Sequence, residues 1–511
     1  MSGEERFPAT VKWGDTMTTF YVRSLGLVIL FANFTHLGSA VAQNVALRGQ
    51  LLTNPPQLLG TYSGSGLIAN ATDGAVTRWL LKRIFSPRCD VNVYQLQYET
   101  VGGVGEPTTA SGALMIPTGS DAACQGPRPI ALYAHGKRNL RQFNIADLTG
   151  GNYEGMLLAL ALGGEGYIVV APNYAGYDTS TLGYHPFLNW QQQAADMMDA
   201  LSAARVAFLS IGAADNQKLF VTGYSEGGYV AMATHRALQS AGIPVTASAP
   251  MSGPYALSAF GDAMFLGQVG AGAVEEIAML ASSYQHAYAN LYTKPTDVFE
   301  AKYASADTLF PATTGVDQLV AQGLLPANAV FSNTAPTPEL ASLTPATTPR
   351  ALAGVFNSGF GPDSLITNSY RLSYIQDALA NPDGGFPETT TYTPPASPGN
   401  TLRVDLKTND LRSWAPTAPT LLCGGNMDPV VFFFNTRLMQ EYWSVNAPAS
   451  PVSVLDVDGS GGPYPALQGE FAATKTLLRW IEGKSFVMDN YHDLIVPAFC
   501  IQAVRSFFDG F

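Results

Sequence analysis

The chain has 511 residues, 47% of them apolar and only 13% charged, with 50 Gly and 34 Pro. That composition excludes an intrinsically disordered chain and suits a compact, loop-rich globule long enough to bury a large core. The formal net charge of −12, without runs of like charge, argues against nucleic acid and anionic membrane surfaces as partners.

The N-terminus reads as an export signal over residues 1–42. Leu25–Phe34 (LGLVILFANF) is a short apolar run preceded by Arg23 and followed by Ala40-Val41-Ala42, an A-x-A cleavage signature. The charged stretch before Met17 fits such a signal poorly, which favours Met17 as the start. The run is too short to span a bilayer comfortably, no stop-transfer charges follow it, and no other stretch approaches the roughly 18 apolar residues of a spanning helix. Stable membrane insertion is therefore not expected, and the mature chain is expected to be secreted or periplasmic. Its four cysteines then form disulfides by default. Cys89 and Cys124 flank two predicted strands and could staple them. Cys423 and Cys500 lie beside two catalytic candidates described below. The bridges Cys89–Cys124 and Cys423–Cys500 are the expected pairings, although four cysteines leave three connectivities open. No CxxC or Cys/His cluster points to a metal.

Residues 43–91 carry few strand signals and one short helical pattern, Ala75–Phe85. From residue 92 the pattern is regular. Strands are predicted at Asn92–Val101, Thr108–Pro117, Pro129–Ala134, Tyr167–Pro172, Lys218–Thr222 and Val245–Pro250, with helices at Asn144–Leu162, Trp190–Ser210 and Tyr229–Gln239. The first two strands, joined by Gly102–Glu106, predict an antiparallel edge hairpin. The later alternation of strand and helix predicts a parallel sheet covered on both faces, an α/β fold. Alternation stops at Met251-Ser252-Gly253-Pro254. Helical patterns then recur at Ala271–Tyr292, Val316–Gln322 and Leu365–Leu379 among Pro/Thr-rich loops such as Thr337–Arg350 and Asn381–Asn400. Sheet signals resume with Pro419–Gly424, a helix at Pro429–Trp443 and a strand at Val452–Val457, before helices near Phe471–Trp480 and Ile495–Phe508. A sheet domain over 92–255 and 416–511, interrupted by a helical cap over 256–415, accounts for this order.

Within that frame, Lys218–Tyr229 (KLFVTGYSEGGY) sets Gly-x-Ser-x-Gly between a strand and a helix. A serine on such a turn is held clear of the sheet, beside free backbone N–H groups at a helix N-terminus that can stabilise an oxyanion. A serine nucleophile needs a base and an acid to orient the base, and chain order with this elbow is Ser, acid, His. Of six histidines, His235 lies on the helix leaving the elbow and His286 in the cap, where packing roles are expected, and His492 alone follows the last strand. Asp428, at the end of LLCGGNMDPVV, is the acid that fits the order; it also suits an N-cap before Pro429. Asp456 and Asp458 are rivals on or after the last strand, and Asp493 is a candidate helix cap. Ser225, Asp428 and His492 are thus the candidate catalytic group. The amides of Lys137 and Glu226, with Gly136 as second choice, are the candidate oxyanion donors, and His135 is expected to be structural. Tyr174 and Tyr224 are candidates for lining the substrate pocket, with plain packing as the alternative for Tyr174.

Strand–HGK, APNYAGYD, GYSEGG, a long insertion, GGNMDPV and a late His together resemble the α/β-hydrolase superfamily, and within it the secretory lipases, including capped lipases of the lipase A type. The resemblance runs from about Asn92 to the C-terminus. It implies an α/β-hydrolase fold, with a mostly parallel eight-stranded sheet, helices on both faces and an inserted helical cap or lid. It further implies no cofactor, and hydrolysis of carboxylic esters by the Ser225, Asp428 and His492 group. Two departures stand out: a helical stretch separates the last strand from His492, and Glu226 sets a carboxylate beside the nucleophile, where it would repel an anionic intermediate unless its side chain points away. Small-molecule, lipid and polyester esters all fit. The other expectations to weigh are a secreted serine peptidase, which needs an anchor for a peptide terminus, and a non-catalytic binding protein of the same fold.

Overall fold

The computed structural model describes residues 48–70, 75–149, 152–384 and 392–511. Residues 1–42, read above as an export signal, lie outside the described residues. Eleven strands occur among them: β1 (Gln57–Tyr62), β2 (Asp90–Val101), β3 (Pro107–Thr118), β4 (Arg128–Ala134), β5 (Ile168–Pro172), β6 (Asp215–Tyr224), β7 (Ala247–Met251), β8 (Phe331–Ser332), β9 (Phe360–Gly361), β10 (Thr420–Gly424) and β11 (Val452–Asp456). Nine form one sheet in the order β1-β2-β3-β5-β4-β6-β7-β10-β11, and β8 pairs with β9 apart from it. The β1–β2, β2–β3 and β3–β5 pairs are antiparallel, and every later pair is parallel.

The central strands IVVAP, ASAPM and TLLCG of β5, β7 and β10 are buried at every residue, as a sheet covered on both faces requires. One apolar cluster lies against each face. On one side the Trp190–Ile211 and Glu226–Ser240 helices pack and continue into the insertion. On the other lie the Tyr153–Ala161 and Val496–Phe508 helices.

The sheet has nine strands, one more than the resemblance implies, because β1 adds an edge. Its sequence QLLGTY reads weakly: half of it is exposed, none of it is fully buried, and a bulge breaks it between Leu58 and Gly60, so that pairing to Val91–Gln95 holds it in place. The helix predicted from Asn144 begins only at Tyr153. The side chains of Asn144 and Asp147 accept bonds from the Ala146 and Thr149 amides and make local turns, and Asn152 caps the helix start. The helix predicted from Pro429 likewise begins at Phe434, because Asp428 closes a turn over Val430 and Val431 first.

The insertion leaves the sheet after β7 and returns at β10. It contributes the Leu257–Phe265, Ala273–Tyr288, Asn368–Ala380 and Thr401–Thr408 helices. Two buried ion networks tie it together. Arg403 bonds Asp262 and Asp377, and Arg412 bonds Asp383 and Asp410. Both guanidiniums are at most 1% exposed, so each needs its carboxylates to offset desolvation. Disulfides join Cys89 to Cys124 and Cys423 to Cys500, with Cα separations of 5.5 and 5.7 Å. The first ties the start of β2 to the segment before β4, and the second ties the end of β10 to the final helix. Among the described residues no helix is long and apolar enough to cross a membrane.

Candidate active site

Strand β6 ends at Tyr224 and the next residue turns sharply: Ser225 has φ 60° and ψ −124°, and the Glu226–Ser240 helix follows at once. A non-glycine residue in such a conformation costs on the order of 1–3 kcal/mol and persists only when its surroundings fix it. Here they do. The Ser225 N–H donates to the Met251 carbonyl at 3.0 Å. The elbow is wedged against the end of β4: a Cβ at Gly227 would fall 1.9 Å from the Ala134 oxygen, and one at Gly223 would fall 2.2 Å from the Gly227 oxygen. Only glycine tolerates those approaches.

Ser225 Oγ lies 2.8 Å from His492 Nε2, and His492 Nδ1 lies 2.7 Å from Asp428 Oδ2. A carboxylate can only accept, so Nδ1–H donates to Asp428, and the neutral ring presents its Nε2 lone pair to the serine hydroxyl. The other Asp428 oxygen accepts from the Val430 and Val431 amides at 2.9 and 3.0 Å, so the acid is clamped from both sides. His492 sits in a π-helical turn, Tyr491–Ile495, entering the last helix. The excursion between Asp458 and His492 folds as two helices, Pro465–Ile481 and Lys484–Asp489, that lead back to the sheet end. Burial alone would disfavour a charged His492, but the Asp428 carboxylate and its hydrogen bond outweigh burial and hold the pKa up, at about 9.

The other sequence candidates separate cleanly. Asp456 accepts from Asn426, and Asp458 accepts from the Tyr491 hydroxyl and pairs with Lys475, so neither rival carboxylate engages His492. The Gly136 amide is committed to the Glu154 carboxylate at 3.1 Å. The Lys137 and Glu226 amides make no hydrogen bond to another described residue. The loop bearing Lys137 lies against the elbow, since a Cβ at Gly136 would come 3.5 Å from Ser225 Cβ. Tyr174 packs instead of lining the pocket: it is fully buried, stacks on His135 and donates its hydroxyl to the His135 carbonyl. Tyr224 does face the outer cavity, with its hydroxyl on the His492 carbonyl at 2.5 Å. His235 meets Ser248 and Trp414, and His286 stacks on Tyr184 and meets the Ser282 carbonyl; both are packing residues.

Two cavities meet at Ser225. The inner one runs into the insertion between Leu257, Phe260, Met264, Leu280, Leu406 and Val431 and is overwhelmingly apolar. The outer one is bordered by Arg138, Asn139, Glu154, Asp489, His492 and Asp493 and is far more polar. Lys137 and Glu276 border both. Sequence reasoning missed Glu276, which faces Lys137 Nζ at 3.6 Å; burial raises its pKa to about 7 against the pull of Lys137. It also missed His185, whose partner Glu226 lies 41 residues away in the chain. Neither carries a local motif that could have revealed it.

The prolyl oligopeptidase family model matches residues 157–252, the stretch from the Tyr153–Ala161 helix through the elbow to the end of β7. No curated protein sequence matches the chain significantly. Among solved structures, the ligand-bound form of the rice cell wall degrading esterase LipA from Xanthomonas oryzae is 26% identical, covers 90% of this chain and 98% of its own, and gives a TM-score of 0.64. A hydrolase candidate from Legionella pneumophila is 20% identical over 84% of this chain and 99% of its own, with a TM-score of 0.59. Fold and comparisons together define an α/β-hydrolase. The chain is a lipase- and esterase-like member of that superfamily.

Proposed function

We propose that this protein is a serine hydrolase that cleaves carboxylic esters through an acyl-enzyme. The single observation that carries the reading is the Ser225–His492–Asp428 hydrogen-bond chain standing where an apolar and a polar cavity meet. Neutral His492 takes the Ser225 proton as Oγ attacks the ester carbonyl. The Lys137 and Glu226 amides receive the oxyanion. His492 then protonates the departing alcohol, and water, activated by the same ring, releases the acid and restores the serine. The inner cavity suits an acyl chain of a small-molecule, lipid or polyester ester, and the outer cavity suits the alcohol. On this reading 92–255 and 416–511 are the catalytic core, and 256–415 is a cap that builds the acyl site. The two disulfides, and the export signal read in residues 1–42, support a secreted or periplasmic working place.

One observation favours a second reading: the prolyl oligopeptidase family match spans the elbow. A peptidase of this kind would need a free charge to hold a peptide terminus. Of the acidic residues lining the inner cavity, Glu226 turns its carboxylate inward to His185 and Glu276 faces Lys137. Hydrolysis of p-nitrophenyl esters from acetate to palmitate, run beside aminoacyl and peptidyl p-nitroanilides, separates the two. Ester turnover abolished by Ser225→Ala, with peptide turnover near background, supports the esterase; preferential anilide cleavage by the same serine supports the peptidase.

A further inference from the structure

The Glu226 carboxylate turns away from Ser225 into the protein, where it is 1% exposed. Its Oε1 accepts from His185 Nε2 at 2.7 Å and from Gln193 Nε2 at 2.6 Å. Its Oε2 has no hydrogen-bond partner among the described residues. His185, equally buried, points its other nitrogen, Nδ1, at the Ala175 carbonyl 3.0 Å away. The Ala175 carbonyl only accepts, so Nδ1–H donates to it; one further proton lies in the bond between Nε2 and the Glu226 carboxyl, and Gln193 Nε2 stands 3.4 Å from the same ring nitrogen. Tyr174, Tyr177 and Phe187 enclose the ring. Asp196, also in this neighbourhood, accepts from Tyr98 and from the Ala175 amide and supplies no proton to Glu226.

We propose that His185 is a positioning residue: through the proton it shares with Glu226 it cancels that carboxylate's charge beside the oxyanion site and moors the turn whose amide receives the oxyanion. The inference rests on Ser225 being the nucleophile and on the Glu226 amide serving the oxyanion. A buried carboxylate without its counter-charge would oppose the negative charge that develops on the substrate oxygen, in a medium where such repulsion is weakly screened. The same carboxylate, once neutralised, ties the start of the Glu226–Ser240 helix to the loop after β5 and to the Trp190–Ile211 helix. Ground-state binding of the ester is untouched, because the charge it protects against exists only in the transition state.

A double-mutant cycle reads this directly. His185→Asn strands the carboxylate and should lower kcat for p-nitrophenyl butyrate by about 30-fold or more with KM within about threefold. Adding Glu226→Gln removes the stranded charge and should return at least about tenfold of the loss. A packing role predicts the reverse, a double variant as slow as His185→Asn or slower, and that result overturns the proposal. Should His185→Asn fail to fold, nitrogen NMR of the intact Ser225→Ala chain decides. A proton in the His185 Nε2–Glu226 bond at neutral pH supports the pair, and its absence overturns it. Failure of the underlying reading looks different: Ser225→Ala would stay active whatever the cycle gave.

Discussion

Two buried histidines flank Ser225, each 2.7 Å from a carboxylate, His492 with Asp428 and His185 with Glu226. What differs is the group on the second nitrogen. His492 Nε2 meets a serine hydroxyl, which can give or take a proton. His185 Nδ1 meets a carbonyl, which can only accept. The first ring is therefore free to cycle between neutral and charged, as a general base must. The second has its Nδ1 proton committed to that carbonyl. Proximity of imidazole to carboxylate does not define a catalytic pair; the partner on the far nitrogen does.

The largest loss is expected at the nucleophile that only the first ring serves. Ser225→Ala should lower kcat/KM for small esters by about 10⁴-fold or more, with the folded state unchanged by circular dichroism. Asp428→Asn should cost about 10³–10⁴-fold in kcat, because the amide cannot hold His492 in the tautomer that presents Nε2 to the serine. Its Oδ1 can still accept from Val430 and Val431, so thermal unfolding should move little.

The inner cavity offers a finer cut. Leu280→Trp fills space in its apolar wall and should reduce kcat/KM for palmitate esters by about 10–100-fold while acetate stays within about threefold. Equal losses at both lengths would remove the acyl chain from that cavity. The pH profile probes the His492–Asp428 pair itself. His492 acts as base only when neutral, and its pKa is raised, so kcat/KM should climb as pH rises and level off near about 9. Asp428→Asn removes the raising charge and should move that limb to lower pH. The raised pKa also means that the stabilisation the His492–Asp428 pair gives the fold is fully present below the ordinary histidine pKa of 6.5 and fades as pH rises through about 9. The smallest effect is expected at Glu276→Gln, whose pairing with Lys137 is partly open to solvent; a change in KM of about two- to threefold, without a change in kcat, is the outcome to look for.

Much of the fold was legible because the strands are long enough and regular enough to announce themselves. GYSEGG between KLFVT and an amphipathic helix, and the alternation on either side of it, carry both the parallel sheet and the position of the elbow. Chain order then singled out Asp428 and His492, which lie within hydrogen-bond reach of one another and of Ser225. Other features escaped for identifiable reasons. Strand β1 is an exposed edge held by pairing more than by its own residues. The helices expected from Asn144 and Pro429 start later because Asn and Asp side chains bond nearby amides and make turns first. Tyr174 sits at a strand end, as pocket residues do, yet its hydroxyl serves the backbone of His135. His185 depends on a partner from another part of the chain, and the inner cavity depends on apolar faces from four separated helices of the insertion. Nothing local could spell out either.

The most direct test is covalent. The chain should be mixed with a p-nitrophenyl phosphonate, followed by the released phenolate and by the intact mass, and the adduct then mapped on peptides. Nucleophilic catalysis by Ser225 predicts a burst of about one equivalent, a single adduct on Ser225 and none in Ser225→Ala. An adduct on another residue, or a burst that survives Ser225→Ala, would contradict it.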